Sequence, residues 1–291
     1  MTSATSDPVI VDTQAAVRAA ADAARADGKI VGLVPTMGYL HAGHASLMDA
    51  AGAECDFVLA TIFVNPLQFA ADEDLDSYPT DIAADTALAR DHGVDLLFIP
   101  GQHEMYRQPP LTSVALSGPI TSGFEGASRP THFSGVATVV AKLFGLIGPC
   151  RAYFGEKDYQ QLVMVRRMAE DLSFPVDVVG CPIVREADGL AMSSRNSYLT
   201  ESQRAAAPVV NRALKVGVAA IENGERSPDV VRALMADVVN AEPEADLDYI
   251  DVANAADLGA IDPLAGELRL LAAVKIGIPR LIDNLGVTVA K

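Results

Sequence analysis

Residues 29–44 read KIVGLVPTMGYLHAGH, and this stretch decides the fold. The apolar run at 29–35 is typical of a strand that is covered on both faces of a parallel sheet. A glycine-containing loop follows, and residues 45–53 then favour a helix. Strand, loop and helix in this order predict one unit of an α/β fold.

The same alternation continues outward from this stretch. Further buried-strand patterns lie at 56–64, 94–100, 151–154 and 177–179, and helical patterns lie at 15–26, 81–92, 133–147 and 158–172. Residues 1–13 read as a short tail, and 101–132 as loops and short strands. We therefore predict a Rossmann-like parallel sheet with helices on both faces. Ligands of such sheets bind at the carboxyl ends of the strands.

The pattern changes near residue 184. Helical patterns at 201–223 and 228–240 are followed by strand-like segments at 247–252, 267–274 and 286–289. This order indicates an α+β unit. We predict two domains, 1–183 and 184–291, of which the smaller C-terminal one covers the site.

Composition limits the classes of function. Lys and Arg number 22 against 38 Asp and Glu, and a formal charge of −16 disfavours a large nucleic-acid surface. No apolar run approaches the ~18–20 residues of a membrane span, and no secretory signal pattern opens the chain. The three widely spaced cysteines, Cys55, Cys150 and Cys181, indicate reduced, mostly buried thiols. We expect a cytoplasmic protein.

The first candidate site follows the first buried strand. Gly38 and Gly43 allow backbone to pass close to a ligand, and His41 and His44 share one face at a helix start. Two imidazoles and free helix N–H groups suit a phosphate. The alternatives are a helix cap with two satisfied histidines and a metal pair, although no third metal ligand has recognisable spacing.

Two further segments offer phosphate donors. FGEKDYQQ at 154–161 again joins a strand end to a helix and supplies Gly155, Lys157 and Asp158. DGLAMSSRN at 188–196 supplies two hydroxyls and an arginine at the proposed domain boundary, where a lid would lie. Taken alone, the first is better explained as a capped helix with an exposed Lys–Asp pair, and the second as an ordinary polar linker.

Several of these motifs resemble a known family. HAGH at 41–44 resembles the HIGH motif of the nucleotidyltransferase superfamily, and MSSR at 192–195 resembles its mobile lysine–serine loop. Five longer blocks together resemble the pantoate–beta-alanine ligases. They are PTMGYLHAGH, IFVNPLQF, RPTHFSGVATVV, YFGEKDYQQL and READGLAMSSRNSYL.

The resemblance implies an ATP-dependent ligation of pantoate and beta-alanine through a pantoyl adenylate, with AMP and pyrophosphate as products. It also implies Mg²⁺ on the ATP phosphates and a homodimer. Catalytic roles fall on His44, His41, Lys157, Ser193, Ser194 and Arg195. The nucleotide would also contact Pro35, Thr36, Met37, Gly38, Gly43, Gly155, Asp158, Val184 and Met192. Pantoate would contact Gln68 and Gln161, with Asn65, Tyr78 and Arg129 as weaker candidates.

Some alternatives stay open at this stage. Asp81 and Asp85 are considered as water-mediated magnesium contacts, and the metal ligands are left undecided. Rival functions are a nucleotidyltransferase that stops at the adenylated product, a tRNA synthetase relative and a non-catalytic nucleotide-binding regulator. The acidic charge and the lack of an anticodon-sized extension disfavour the tRNA enzyme.

Overall fold

The computed structural model describes residues 6–70, 73, 75–107 and 110–290. Among them, six strands form one parallel sheet in the order β1-β4-β3-β2-β5-β6. The strands are β1 (Val9–Val11), β2 (Val31–Thr36), β3 (Phe57–Ile62), β4 (Leu96–Phe98), β5 (Cys150–Gly155) and β6 (Val176–Cys181). The predicted Rossmann-like sheet is confirmed.

Helices cover both faces of this sheet. They are α1 (Gln14–Ala26), α2 (Ala42–Glu54), α3 (Ile82–Asp91), α4 (Gln102–Met105), α5 (Pro119–Ser122), α6 (Glu125–Ser128), α7 (His132–Ile147) and α8 (Tyr159–Asp171). Leu33 of β2 packs in a core with α1, α7 and α8, whereas the adjacent Val34 packs in a second core with α2 and α3. Because side chains alternate along a strand, a continuous apolar run fills both cores.

The chain reverses its direction of travel across the sheet between β2 and β5. From β2 it runs outward through β3 to β4, and it later returns to place β5 on the other side of β2. Among the described residues, β2 and β5 pair only at Gly32–Arg151 and Leu33–Ala152, near their starts. Their carboxyl ends therefore border a cleft, which is where ligands bind in open α/β sheets.

The C-terminal part has its own sheet and core. Helices α9 (Glu201–Ala206), α10 (Val209–Glu222) and α11 (Pro228–Asn240) precede an antiparallel sheet of β7 (Ala245–Asn254), β8 (Gly266–Ile276) and β9 (Arg280–Val289). Its apolar core comprises residues between 190 and 289, while the cores of the large sheet end at residue 181. We propose the domain boundary near residue 184 on this separation of cores.

Three local predictions are wrong. Part of the expected N-terminal tail, Val9–Val11, is β1, which pairs with β4 at the sheet edge; residues 1–5 lie outside the described part. The described residues of 101–132 hold the short helices α4, α5 and α6 and no strand. The helix expected at 201–223 is divided at Ala207–Pro208, because proline cannot donate a helical N–H bond.

Two other expectations concern the state of the cysteine thiols and membrane-spanning segments. Cys150 and Cys181 are buried, Cys55 is partly buried, and all three are free thiols, as predicted. Within the described ranges, every helix is too short or too polar to cross a lipid bilayer.

Candidate active site

A cavity of about 970 Å³ opens at the carboxyl ends of β2, β3, β5 and β6. Residues 278–284 of the C-terminal part also line it. Of the residues predicted from sequence, all except Gly38 line this central cavity: Pro35, Thr36, Met37, His41, Gly43, His44, Asn65, Gln68, Tyr78, Arg129, Gly155, Lys157, Asp158, Gln161, Val184, Met192, Ser193, Ser194 and Arg195. Three distant segments of the chain thus face one space.

Backbone hydrogen bonds fix the ring orientation of both histidines. His41 is the N-cap of α2, and its Nδ1 accepts from the Gly43 N–H at 3.1 Å. The Nδ1 of His44 accepts from the His41 N–H at 3.3 Å. A backbone N–H can only donate, so both Nδ1 atoms are unprotonated and each neutral ring bears its proton on Nε2. The two ring centroids lie 4.2 Å apart.

Burial keeps these two rings neutral. It lowers the pKa of His41 from 6.5 to about 4, with a smaller contribution from the Lys157 ammonium. The pKa of His44 falls to about 3, mainly through burial and then through its neighbour His41. In the free protein, both side chains are therefore neutral hydrogen-bond donors at physiological pH rather than cations.

An NMR titration checks this protonation state. In the ligand-free protein, ¹⁵N shifts of His41 and His44 should show an unprotonated Nδ1 and no midpoint between pH 5 and pH 8. The matched control is the urea-unfolded chain, in which both should titrate at about 6.5. A midpoint above pH 5 for either ring in the folded protein would contradict the assignment.

The loop before the histidines has an unusual backbone shape. Gly38 has φ +89° and Tyr39 has φ +51°. A Cβ on Gly38 would lie 2.9 Å from Ile62 Cγ2 and 3.0 Å from Asp85 Oδ2, so glycine is required here. Gly38 lies on a smaller neighbouring cleft rather than on the central cavity. Gly38 therefore affects the site through the backbone conformation of the loop, without facing the central cavity.

Asp85 holds this loop in place. One carboxylate oxygen accepts from the Tyr39 N–H at 2.9 Å and the other from the Leu40 N–H at 2.6 Å. Burial raises the pKa of Asp85, although the two N–H bonds oppose the rise. Asp81 is the N-cap of α3 and accepts from the Ala84 N–H. Both carboxylates considered as magnesium contacts thus have backbone partners.

Lys157 lines the same cavity as the two histidines. It belongs to the 3₁₀ turn Glu156–Asp158, which connects β5 to α8, and its side chain is 21% exposed. Its Nζ is 3.6 Å from Asp158 Oδ1. Its charge contributes to the lowered pKa of both His41 and His44. Imidazole and ammonium donors therefore face one cavity.

The segment at 188–196 contacts the loop that precedes the two histidines. Val184 accepts from the Met192 N–H at 3.0 Å, and a 3₁₀ turn, Ser194–Tyr198, follows. Ser193 caps this turn by accepting from the Arg195 N–H, and Ser194 Oγ donates to the Tyr39 carbonyl at 3.4 Å. The serine–arginine segment thus contacts the histidine loop and lines the cavity.

A second wall of the cavity is built around Gln68. Its Oε1 accepts from Asn65 Nδ2 at 3.0 Å, which directs its Nε2 toward Met37 and the cavity. Asn65 is 1% exposed and also bonds Gly135 and Tyr106. It therefore fixes the Gln68 amide rather than presenting a free group of its own.

The other predicted wall residues differ in their environment. Gln161 lines the cavity from the first turn of α8. Tyr78 packs edge-on against Phe69, with ring centroids 6.0 Å apart. Arg129 faces the cavity, but two of its N–H groups bond the Glu73 carboxylate at 2.6 Å each. Its charge is thus already partnered.

Sequence reasoning gave the C-terminal domain a covering role but missed the individual residues that it contributes. Arg280 pairs with Glu125 and with Asp248, and Tyr249 Oη donates to Glu125 at 3.2 Å. Asn284 reaches the backbone of the Lys157 turn. These residues belong to no recognisable sequence motif. The sequence could have pointed to them only through the general rule that a buried polar group on a strand needs a hydrogen-bond partner.

A sequence model of the family described as pantoate-beta-alanine ligase matches residues 9–286. The chain belongs to the pantoate–beta-alanine ligase family. The pantothenate synthetase of Heliobacterium modesticaldum is 51% identical over 263 residues, covering 90% of this chain and 93% of that protein. That of Moorella thermoacetica is 49% identical over 276 residues, covering 95% and 97%.

Solved structures of ligases in this family have the same fold. The pantothenate synthetase of Thermus thermophilus matches with a TM-score of 0.90 and 47% identity, covering 97% of this chain and 100% of that one. The ligase of Francisella tularensis, complexed with beta-gamma ATP and beta-alanine, matches with a TM-score of 0.79 and 31% identity, covering 96% and 97%. The resemblance predicted from the motifs is confirmed.

Proposed function

We propose that this chain ligates pantoate to beta-alanine with ATP, through a pantoyl adenylate. A pantoate carboxylate oxygen attacks the α-phosphorus and pyrophosphate leaves. The beta-alanine amine then attacks the acyl carbon, loses a proton, and AMP leaves. The single observation that supports this best is the convergence of His44, Lys157 and the 193–195 segment on one cavity. Family membership supports the same reaction.

Catalysis at this site requires no side-chain nucleophile. A carboxylate is a poor acyl donor because its oxygen is a poor leaving group. Adenylation joins that oxygen to the phosphate of AMP, and AMP is a good leaving group. The protein's work is then to position the reactants and to stabilise charge on the transferring phosphate. Neutral Nε2–H groups of His44 and His41 and the ammonium of Lys157 suit that work.

We assign the remaining nucleotide contacts by position. Ser193, Ser194 and Arg195 would close over the phosphates from the segment above the histidine loop. The ribose would lie near Gly155 and Asp158, and the adenine near Val184 and Met192. The strand end at Pro35, Thr36 and Met37, with Gly43 at the helix start, would form the floor. Gly38 acts only by shaping the loop.

Pantoate would bind against the amides of Gln68 and Gln161. Neutral amides can bond its hydroxyls and carboxylate without neutralising the attacking oxygen. We assign Asn65 the task of holding Gln68, while Tyr78 and Arg129 would complete the wall.

Magnesium enters this scheme as part of the substrate MgATP. Among the described residues, no three His, Cys, Asp or Glu side chains cluster as a metal site. Mg²⁺ commonly binds substrate phosphates with few protein ligands and keeps several waters. We propose that the ATP phosphates hold it, and that the enzyme is a cytoplasmic homodimer, as expected for the family.

Omission of single substrates tests the function. Protein, MgATP and pantoate should produce pantoyl adenylate and pyrophosphate, and AMP should appear steadily only after beta-alanine is added. Steady AMP release without beta-alanine would indicate another acceptor. An adenylated product that beta-alanine leaves unchanged would favour a plain nucleotidyltransferase. No turnover of ATP would favour a non-catalytic binder.

Gln68→Ala should weaken pantoate use much more than ATP use, because the lost amide faces pantoate in the proposed arrangement. We expect the KM for pantoate to rise by roughly ten- to a hundredfold, as when a buried hydrogen-bonding group is removed, with the KM for ATP within about threefold. Gln102→Ala, at an exposed glutamine on α4, is the control. Equal losses for both substrates would contradict the assignment.

A further inference from the structure

Asn284 connects the C-terminal sheet directly to the turn that bears Lys157. It lies on β9 and is 2% exposed. Its Nδ2 donates to the carbonyl oxygens of Glu156 and Lys157, at 2.9 Å in each case. Its Oδ1 accepts from Arg269 Nε at 2.7 Å. One buried amide therefore joins the two domains at the backbone of a predicted phosphate-binding residue.

The orientation of this amide follows from its partners. Two carbonyl oxygens can only accept and a guanidinium N–H can only donate, so the nitrogen must face the turn and the oxygen must face Arg269. Among side chains of this size, only asparagine satisfies all three partners. Aspartate would keep the bond from Arg269 but would set an oxygen against two carbonyl oxygens.

Neighbouring side chains hold Asn284 itself. Asp283 accepts from the Asn284 N–H at 2.7 Å and forms a two-pronged ion pair with Arg185, at 2.6 and 2.8 Å. Arg185 also donates to the Asn284 carbonyl. Arg269 pairs with Glu156 at 3.0 Å and lies over the Tyr159 ring. A buried amide so restrained can transmit position to its partner.

We propose that Asn284 is a positioning residue for adenylation. It fixes the Lys157 backbone so that the ammonium group of Lys157 contacts the transferring phosphate. The inference rests on the proposed function, because it assigns a partner to Lys157 within that site. Asn284 also lines the cavity, but its amide nitrogen is committed to the turn and its oxygen to Arg269, so it acts on the reaction through Lys157. The C-terminal domain then completes the phosphate site as well as covering it.

A double-mutant cycle tests this assignment. Asn284→Asp should slow pantoate-dependent ATP–pyrophosphate exchange by roughly ten- to thirtyfold, as expected for a misplaced catalytic group. The same change in a Lys157→Ala background should cost no more than about threefold, because the group being positioned is absent. The dissociation constant for pantoate should stay within about twofold of wild type in both backgrounds.

Two further variants keep the test decisive. Asn284→Ala removes the donors without adding a charge, and it should repeat the loss and the non-additivity even if the aspartate variant folds poorly. Thr288→Ala is the control, because it changes an exposed residue on the same strand, β9. It should leave exchange within about threefold of wild type, as surface substitutions commonly do.

The outcomes separate the two claims. Losses at Asn284 that vanish without Lys157, in folded variants, support the positioning role. Equal losses in both backgrounds, or near-normal exchange in Asn284→Ala, overturn it while wild-type exchange remains intact. Absence of pantoate-dependent exchange in the wild-type protein would instead overturn the proposed function.

Discussion

Lys157→Ala is expected to slow pantoate-dependent ATP–pyrophosphate exchange by roughly 10²–10³-fold, the usual cost of one donor that stabilises transition-state charge. The side chain is largely buried in the central cavity, and its ion-pair neighbour Asp158 lies 3.6 Å from the ammonium, too far for a close hydrogen bond. A phosphate can therefore approach the ammonium. Initial rates of ³²P-pyrophosphate incorporation into ATP, with saturating pantoate, measure the effect.

The control for this variant is Lys215→Ala, at an exposed lysine on α10. It should exchange at the wild-type rate. Pantoate binding should survive in Lys157→Ala, because Gln68 and Gln161 are unchanged. Exchange within about tenfold of wild type would remove Lys157 from the reaction.

His44→Ala should produce a loss of similar size, roughly 10²–10³-fold in the same assay. The reason differs from that for Lys157, because His44 acts as a neutral donor whose Nδ1 is committed to the His41 backbone. A glutamine amide can place an N–H near the Nε2 position. His44→Gln should therefore recover most of the rate, to within roughly tenfold of wild type.

The control for His44 is His103→Ala, at an exposed histidine on α4, which should leave exchange unchanged. The glutamine variant makes the test selective. If His44→Gln is as inactive as His44→Ala, the ring must transfer a proton or carry a charge. That result would contradict a neutral-donor role.

The large sheet could be predicted from the sequence because its signals are local. The continuous apolar runs at β2, β3 and β5 place side chains in the cores on both faces of the sheet. That pattern is typical of covered parallel strands. The N-terminal strand β1 was missed because it has three residues at a sheet edge, two of them exposed. Its order comes from pairing with β4, which lies far along the chain.

The glycine- and proline-rich stretch around 101–132 shows a different limit. Short helices α5 and α6 are held by tertiary bonds, since buried Gln160 bonds the Ile120 and Gly123 carbonyls and the Glu125 N–H. Composition alone favours loops there. The structure is thus imposed by a helix that comes later in the chain.

The site could be predicted where motifs follow strand ends, and not where support comes from elsewhere. His44, Lys157 and Ser194 belong to contiguous motifs beside strands or a boundary, and all line the cavity. Asp85 and Asn284 hold those motifs from 45 and 127 residues away. A single sequence gives no distance information of that kind, so it suggests only a magnesium contact for Asp85 and no role for Asn284.

The central claim is that imidazole, ammonium and guanidinium groups surround one triphosphate. A crystal structure of this chain with magnesium and a non-hydrolysable ATP analogue tests it most directly. We predict the α-phosphate within about 3.2 Å of both His44 Nε2 and Lys157 Nζ, with Ser193 to Arg195 over the outer phosphates. A triphosphate bound elsewhere, or one that meets only one of these groups, would contradict the account.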